Sequence, residues 1–386
     1  MSGTNGQDRA ALARDAAAAL TSARDRVGSM KAIVGFDVMI DSIIRVVDRK
    51  DAKGFTPMTQ ISQLADRVAK AAGRSINIEF RVEQAKLGGN GALMGEGLAR
   101  AGARVSFIGS IGGEGRGGVH PVFEDFAGRC EAVFPTGGPG LTDALEFDDG
   151  KVLLGKTEAL DAITWASVVK AVGGVDKLRS LIDGSGCMAP VSWTQVPFMD
   201  EIWRGLIREV LPKIEQGRRP TVFIDLADPR KRTPEALKGA LALLQEMNAL
   251  TPVTLGLNLS ESKQVAAVLG IAEPQTLEEG APHVREALGL ACVVTHGHHA
   301  VAAATKDGQV ASFEGPYTKT PKISTGAGDH FNAGFTLASG LGLPAAQGLA
   351  VASALSGWYV RKGLGPTLDE LIGFLKELPA PERQGS

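Results

Sequence analysis

The segment Thr325–Asp329, which reads Thr-Gly-Ala-Gly-Asp, constrains this chain more than any other. Its glycines and alanine leave the backbone unobstructed, and the apolar run Phe331–Leu337 that follows indicates the start of a helix. The free N–H groups of a helix's first turn attract phosphate oxygens, assisted by the helix dipole. The segment therefore predicts an anion-binding site at a helix N-terminus.

The carboxylate of Asp329 has two interpretations at this position. It can be an N-cap, which stabilises a helix by about 0.5–2 kcal/mol. It can also be a base beside a bound phosphate, placed to take a proton from an attacking hydroxyl. The glycine-rich turn alone does not decide between them.

A second glycine-rich segment lies upstream. Gly88, Gly89 and Asn90 precede a small-residue helix that ends near Gly102, and a buried strand with the sequence Val-Ser-Phe-Ile-Gly follows. This order is typical of a βαβ unit.

The two segments together resemble the N-terminal and C-terminal signatures of the ribokinase-like (PfkB) carbohydrate kinase family. The resemblance covers roughly residues 30–378. It implies a ribokinase-like three-layer α/β/α sandwich with a central, mostly parallel sheet and a small β-sheet lid. It also implies ATP-dependent phosphorylation of a hydroxyl on a small sugar or related polyol, with Mg²⁺.

The resemblance assigns roles to both signatures. Asp329 would be the catalytic base, and the amides of Gly326, Ala327 and Gly328 would form the anion hole, with Thr325 facing the nucleotide. Gly88, Gly89 and Asn90 would line the sugar pocket. Leu93 departs from the family pattern, because many members have asparagine at that position, and the sugar pocket loses that amide.

Two aspartates follow the first buried strand. Asp37 and Asp41 come after the apolar run Ala32–Phe36, and the carboxyl end of a parallel strand is a usual place for a ligand site. Either one alone could be a solvated turn residue. The family binds substrate through an aspartate here; the spacing from Gly35 favours Asp41, with Asp37 second.

Asn258 and Glu261 stand three residues apart where a strand passes into a helix. They could be an N-cap and its capping-box acid. The resemblance implies instead that they hold Mg²⁺ through water beside the nucleotide phosphates, and hard cations prefer oxygen ligands.

His296, His298 and His299 invite a zinc hypothesis, but no Cys, Asp or Glu is tied to them by spacing. The resemblance implies instead that Thr295 and Gly297 face the nucleotide, and that a loop with Gly363 closes the nucleotide site. Ile323 stands where many members have an aspartate that binds a monovalent cation, and Ile323 cannot be a ligand.

Two regions do not fit a plain α/β pattern. The period-two alternation of Ile76–Glu83 predicts a half-exposed strand, Asp143–Lys156 predicts a hairpin with its turn at Asp148–Gly150, and the charged Arg45–Thr56 predicts a loop. We therefore expect a lid within about 42–87 and 141–160.

The predicted domain boundaries follow from composition. Residues 1–8 predict a disordered start, and the alanine-rich Arg9–Val27 predicts a surface helix, so 1–29 form a helical N-terminal extension. The kinase domain spans 30–380, and 381–386 form a C-terminal tail. Trp193 and Trp203 are predicted core or interface residues.

Charge and cysteine content exclude several function classes. With 41 basic and 43 acidic residues, the net charge of −2 provides no polycationic surface for nucleic acid. The three cysteines form no paired pattern and indicate core thiols. No apolar run is long enough for a membrane span, and the N-terminus lacks a basic segment followed by an apolar one, so we expect a cytoplasmic protein. The family resemblance makes a homodimer through the lid possible.

Three alternatives remain open. One is a nucleoside or sugar-phosphate kinase of the same family, in which Arg81, Lys86 or Lys156 would bind a phosphate. Another is a catalytically silent sugar- or nucleotide-binding regulator. The third, a dinucleotide enzyme, rests on the weak Gly-x-Gly-x-x-Gly pattern of Gly113–Gly118.

Overall fold

The central sheet contains nine strands in the computed structural model, which describes residues 9–382. Numbered in chain order through the whole chain, they are β1 (Lys31–Phe36), β5 (Arg104–Gly109), β6 (Ala132–Pro135), β9 (Cys187–Pro190), β10 (Thr221–Asp225), β11 (Val253–Asn258), β12 (Cys292–His296), β13 (Ala300–Thr305) and β14 (Val310–Glu314). Their spatial order is β14-β13-β12-β11-β10-β9-β1-β5-β6. The strands from β12 to β6 are parallel, and β13 and β14 run antiparallel at one edge.

Helices cover both faces of this sheet, and one further helix, α3 (Ile61–Ala69), packs against the second sheet. The others are α1 (Arg9–Ser22), α2 (Arg24–Ser29), α4 (Asn90–Arg100), α5 (Glu124–Arg129), α6 (Trp165–Val172), α7 (Val175–Ile182), α8 (Met199–Gly205), α9 (Pro234–Leu250), α10 (Leu259–Leu269), α11 (Leu277–Leu288), α12 (Ala327–Gly340), α13 (Ala345–Lys362) and α14 (Leu368–Lys376).

The alternation of side chains along each strand divides the core in two. Ala32 and Val34 of β1 pack with α1, α4 and α12–α14 on one face, whereas Ile33 packs with α6–α11 on the other. Strands that are buried on both faces are apolar throughout, which is why β1 reads as a continuous apolar run. The predicted three-layer α/β/α fold class is confirmed.

A second sheet of five strands forms the lid. Its strands are β2 (Met39–Asp51), β3 (Gly54–Pro57), β4 (Phe80–Gly88), β7 (Gly140–Phe147) and β8 (Gly150–Lys156). A small core of its own, next to α3, includes Ile44, Met58 and Phe147. The lid lies in the predicted segments, and the predicted turn of the β7–β8 hairpin is confirmed at Asp148 and Asp149.

Two predictions for the lid were wrong in detail. The predicted loop at Arg45–Thr56 is strand, because β2 runs on to Asp51 and pairs with β3. The strand predicted at Ile76–Glu83 begins only at Phe80 and continues to Gly88. The end of β2 carries charged side chains because it is exposed, and it forms a strand through backbone pairing with β3, which does not need an apolar sequence. The apolar pattern that predicts a strand is therefore missing there.

The described part of the N-terminal extension, residues 9–29, contains the helices α1 and α2. Helix α1 packs against α13 and α14, and it buries Leu12, Ala16 and Leu20. The guanidinium of Arg9 donates to the backbone carbonyls of Glu314 and Pro379. The predicted disordered start at 1–8 and the tail residues 383–386 lie outside the described residues.

Other local expectations have clear outcomes. Trp193 and Trp203 are fully buried, so both are core residues. Cys187 and Cys292 are buried thiols, Cys130 is half-buried, and all three are free cysteines. Among residues 9–382, no helix combines the length and the apolar character that crossing a bilayer requires.

Candidate active site

The candidate site lies at the carboxyl edge of the parallel strands. Asp37 follows β1, while Asp225, Asn258 and His296 end β10, β11 and β12. Carboxyl ends of parallel strands meet along one edge of a sheet, which is where α/β proteins bind ligands. The N-terminus of α12 carries Asp329 at the same place.

The turn before α12 requires glycine at Gly326. Its φ is +90°, and a Cβ atom there would lie 2.9 Å from both Leu93 Cδ1 and Tyr359 Oη. Leu93, which stands where many family members have asparagine, therefore packs beneath this turn.

The three amides predicted to form the anion hole are not equivalent. The Ala327 N–H donates to the Ser324 carbonyl at 3.2 Å, so it is the least available of them. Within the described chain, the N–H groups of Gly326 and Gly328 have no protein acceptor. These two amides are the donors that an anion could use.

Asp329 stands in the first turn of α12, surrounded by protein and still reached by solvent through the cleft. Burial raises its pKa well above the usual range, and the nearby charges of Asp225, Asp37 and Asp41 raise it further. A carboxyl group with a raised pKa is suited to accept a proton from a hydroxyl near neutral pH.

Asp225 belongs to the site although the sequence analysis did not select it. Its carboxylate accepts hydrogen bonds from the Ala227 N–H and from Asn332 Nδ2, each at 2.6 Å. Burial raises its pKa, and these two hydrogen bonds oppose that shift. Asn332 lies on α12, so Asp225 ties β10 to the helix that carries Asp329. An aspartate at the end of the buried run Thr221–Ile224 was the available sequence signal.

Asp37 and Asp41 differ in what their carboxylates contact. Asp37 is 1% exposed and accepts the N–H groups of Asn90 and Gly91, both at 2.8 Å. Burial raises its pKa to about 6 against the opposing effect of these hydrogen bonds. Both oxygens of Asp37 are thus engaged in holding the N-terminus of α4.

Asp41 lies on lid strand β2, paired with Lys86 on β4 and Thr142 on β7. Burial raises its pKa, while the Thr142 hydroxyl and the charges of Lys86 and Lys151 lower it. A Cβ atom at position 88 would lie 2.5 Å from the Asp41 carboxyl carbon, so Gly88 makes room for this side chain.

The lid reaches the turn before α12 through one lysine. Lys151 Nζ on β8 lies 3.5 Å from Thr325 Oγ1 and 3.4 Å from Glu146 Oε1. This contact brings an ammonium group to the rim of the predicted anion hole. The sequence analysis did not single out Lys151, because its hairpin carries several charged residues of similar appearance.

Asn258 and Glu261 form the capping box. The Glu261 N–H donates to Asn258 Oδ1 and the Asn258 N–H donates to Glu261 Oε2, both at 2.9 Å. Burial raises the pKa of Glu261 to about 8, and the charges of Asp225 and Asp228 contribute.

The site has the chemistry for Mg²⁺. Asp225 and Glu261 supply carboxylate oxygens, which hard cations prefer, and the raised pKa of Glu261 is due first to burial and then to the charge of Asp225. A bound cation would stabilise the ionised forms of both groups. Within residues 9–382, no three His, Cys, Asp or Glu side chains group as direct ligands of a metal ion. The contact of Asn258 and Glu261 with Mg²⁺ through water stays a prediction.

The predicted nucleotide residues are placed as follows. The Thr295 hydroxyl is fully buried and donates to the Leu277 carbonyl at 2.8 Å. Gly297 lies in the turn after β12, and Gly363 ends α13. The Lys322 ammonium, beside Ile323, donates to the Lys362 carbonyl at 3.1 Å.

The three histidines do not act together. Burial, with a smaller effect of His298, lowers the pKa of His296 to about 4. Its ring lies 5.2 Å from that of Phe331, between centroids. His298 and His299 are exposed, and His299 stacks on Tyr317 with centroids 4.0 Å apart. The geometry gives the zinc hypothesis no support.

Comparisons with known proteins agree with this architecture. Residues 9–378 match the family model of prokaryotic ketohexokinase. A ketohexokinase of Haloferax volcanii is 29% identical over 355 residues, which cover 91% of this chain and 92% of that protein.

Solved structures share the fold at low sequence identity. An Arabidopsis thaliana ribokinase complexed with ribose and ATP aligns with a TM-score of 0.62 and 18% identity, covering 90% of this chain and 98% of that one. A Thermotoga maritima ribokinase aligns at 0.57 and 18%, covering 90% and 99%. A Methanocaldococcus jannaschii nucleoside kinase aligns at 0.57 and 13%, covering 90% and 98%.

Proposed function

The chain belongs to the prokaryotic ketohexokinase family and is an ATP-dependent sugar kinase, and on that premise we propose that its acceptor is a ketohexose such as fructose. The name of the matched family and that of the Haloferax volcanii relative support this acceptor. The observation that carries the mechanism is the position of Asp329, one residue after the amide of Gly328 and across the cleft from the lid.

Asp329 is the general base in this proposal. It takes the proton of the attacking hydroxyl, whose oxygen forms the new bond to the γ-phosphorus of ATP as the bond to the leaving ADP oxygen breaks. Its raised pKa supports this role, since an ordinary aspartate binds a proton weakly at neutral pH.

The amides of Gly326 and Gly328 stabilise the transferring phosphoryl group. They point from the start of α12, where the helix dipole adds positive potential, and fixed donors of this kind need no reorganisation during the reaction. The Lys151 ammonium adds a positive charge from the lid side of the same turn.

Asp41 and Asn90 bind hydroxyl groups of the sugar, with Gly88 and Gly89 leaving room. Asp41 is the stronger candidate, because both oxygens of Asp37 already accept backbone hydrogen bonds. The sugar then lies between the lid and Asp329.

Mg²⁺ neutralises the nucleotide phosphates when it is bound. Asn258 and Glu261 would hold it through water, and Asp225 lies close enough for its charge to act on both Glu261 and Asp329. The turn with Gly297 and the loop with Gly363 contact the nucleotide in this proposal, with Thr325 at the phosphate end.

A sugar phosphate is the second candidate acceptor, and one lysine favours it. Lys86 lies on the lid opposite Asp41, where it could bind a phosphate. Arg81 and Lys156 do not strengthen this alternative, because they pair with Glu79 and Asp143.

An acceptor panel separates the candidates. ADP release from MgATP would be measured with fructose, ribose, adenosine and fructose 6-phosphate, and ³¹P NMR would identify the phosphorylated carbon of each product. We expect the highest kcat/KM with a ketohexose. A higher kcat/KM with fructose 6-phosphate or adenosine would contradict the proposed acceptor.

We also propose a homodimer through the lid. Large apolar side chains on its strands are more than a third exposed, and an exposed apolar surface of this kind marks an interface: Phe55, Phe80, Val82, Leu141, Leu153 and Leu154. Sedimentation equilibrium should give a dimer that Val82→Lys with Leu153→Lys weakens. A monomeric wild-type protein at micromolar concentration would exclude this dimer.

A further inference from the structure

A buried histidine that the proposed mechanism does not use follows the catalytic aspartate directly. His330 on α12 has no exposed surface, and its ring stacks on Tyr359 with centroids 3.6 Å apart and an angle of 15° between the planes. Packing against α4 and α13 therefore fixes its orientation.

Both ring nitrogens of His330 face hydrogen-bond acceptors. Nδ1 lies 2.9 Å from the Gly326 carbonyl oxygen, and Nε2 lies 3.0 Å from Glu96 Oε2. A neutral imidazole carries only one N–H, so it could donate to one of these oxygens and not to both. The Gly326 carbonyl can only accept, so Nδ1 carries a proton and donates to it, and Nε2 shares a second proton with the Glu96 carboxyl group.

Groups from three helices surround the ring. Glu96 on α4 faces Nε2, and Arg100 Nε lies 3.4 Å from the other Glu96 oxygen. From α13, the Tyr359 hydroxyl faces the turn, and Asp329 is the neighbour on α12 itself. A buried polar cluster holds one arrangement when its hydrogen bonds are satisfied, as they are here.

The contacts of His330 and Tyr359 hold the turn from beneath. His330 binds the carbonyl of Gly326, and the Tyr359 hydroxyl donates to the carbonyl of Thr325 at 2.9 Å. Because a carbonyl shares its peptide plane with the next amide, the Tyr359 contact fixes the direction of the Gly326 N–H. The His330 contact fixes the Gly326–Ala327 peptide, from which the chain continues directly to the Gly328 N–H.

We propose that His330, held between Glu96 and the Gly326 carbonyl, is a positioning residue that aligns the Gly326–Gly328 turn for phosphoryl transfer. This inference rests on the proposed function of that turn. It adds to the kinase site a contact between His330 and Glu96, which lie 234 positions apart in the chain.

Two amide variants of His330 test its contacts with Gly326 and with Glu96 separately. In His330→Asn, the side-chain amide can take the place of Nδ1 and still donate to Gly326; in His330→Gln, it can take the place of Nε2 and reach only Glu96. We expect His330→Gln to lower kcat about 10- to 100-fold, because misplaced groups cost rate on this scale, and His330→Asn to lower it much less. KM for the sugar should change little in both.

Equal losses of kcat in the two variants, or losses that follow their melting temperatures, would overturn the positioning role. The Tyr359→Phe variant gives a second measurement that keeps the His330 ring. It should also lower kcat more than KM, and an unchanged kcat would contradict the role of the turn's carbonyls.

The proton on Nδ1 is measured separately from activity. In the full-length protein labelled with ¹⁵N-histidine, the His330 signals, identified by their loss in His330→Asn, should show a protonated Nδ1. An unprotonated Nδ1 in the wild-type protein would overturn the inference. A protonated Nδ1 in a protein without sugar kinase turnover would instead contradict the proposed function.

Discussion

At the scale of single residues, the site is defined by carboxylates that the fold holds away from water. Asp37, Asp41, Asp225 and Asp329 all have raised pKa values, with burial as the largest cause. An arrangement that costs stability in the free protein is expected at a site that binds a cation and accepts a proton.

Asp37 makes this cost measurable. Its folded-state pKa of about 6 lies above its ordinary value of 3.8, so the proton is held more tightly in the folded protein. Protonation of Asp37 contributes fully to the free energy of unfolding below pH 3.8, and this contribution is lost as pH rises through 6. At about 1.4 kcal/mol per pKa unit, the loss is about 3 kcal/mol.

Denaturant unfolding between pH 4 and pH 7 tests this prediction. The free energy of unfolding of the wild-type protein should fall with pH more steeply than that of Asp37→Asn, in which nothing ionises at this position. The exposed Asp15→Asn serves as the control and should keep the wild-type slope. Identical slopes for wild type and Asp37→Asn would show that the pKa of Asp37 is not raised by folding.

Sequence patterns predicted site residues that stand in a recognisable local segment. They missed site residues whose partners are distant in the chain. Asp329 and the Asn258–Glu261 pair stand in recognisable segments. His330 and Lys151 acquire their partners, Glu96 and Thr325, only when the chain folds. No spacing in the sequence reveals such a pair.

At the scale of elements, the lid and α12 meet at one contact. The β7–β8 hairpin brings Lys151 Nζ within 3.5 Å of Thr325 Oγ1, in the turn before α12. In the proposed function this turn binds the phosphoryl group, which predicts that a lysine of the lid affects turnover although it lies on a different element from Asp329.

Lys151→Gln should lower kcat/KM about 10- to 100-fold, because hydrogen bonds to charged groups contribute about 1.5–3 kcal/mol. Lys156→Gln is the matched control on the same strand, since Lys156 pairs with Asp143 on the lid surface. Steady-state assays at varied sugar and ATP give both values. Similar effects of the two substitutions would mean that Lys151 acts only through the general charge of the lid.

Helix α1 is predicted to stabilise the protein without taking part in catalysis. Leu20 is fully buried between this helix and the main body, so Leu20→Ala should lower the free energy of unfolding by about 2–5 kcal/mol. Turnover per folded molecule should stay at the wild-type level. The control Asp15→Ala, at an exposed position of the same helix, should change stability by less than about 0.5 kcal/mol.

A loss of stability near zero for Leu20→Ala would mean that α1 is not held against α13 and α14 in solution.

Elements with a strong pattern, such as the first buried strand at Ala32–Phe36, were predicted from sequence close to their observed bounds. The charged end of β2 was not, because its backbone pairing leaves no apolar pattern.

At the scale of the whole molecule, one topological fact organises the function. Parallel strands bring Asp37, Asp225 and Asn258 from widely separated segments to one edge of the central sheet. The first lid strand, β2, begins at the same edge, just after Asp37. The order of strands in the sheet was not readable from the sequence alone, whereas the family signatures gave the fold class as a unit.

The central claim is that Asp329 is the base of a sugar kinase, and one comparison tests it most directly. Single-turnover phosphorylation of fructose by MgATP would be measured for wild type and for Asp329→Asn, which keeps the size of the side chain and removes its basicity. We predict a rate reduction of about 10²- to 10⁴-fold with unchanged ATP affinity and melting temperature. A variant that retains a rate within about tenfold of wild type would remove Asp329 from this role.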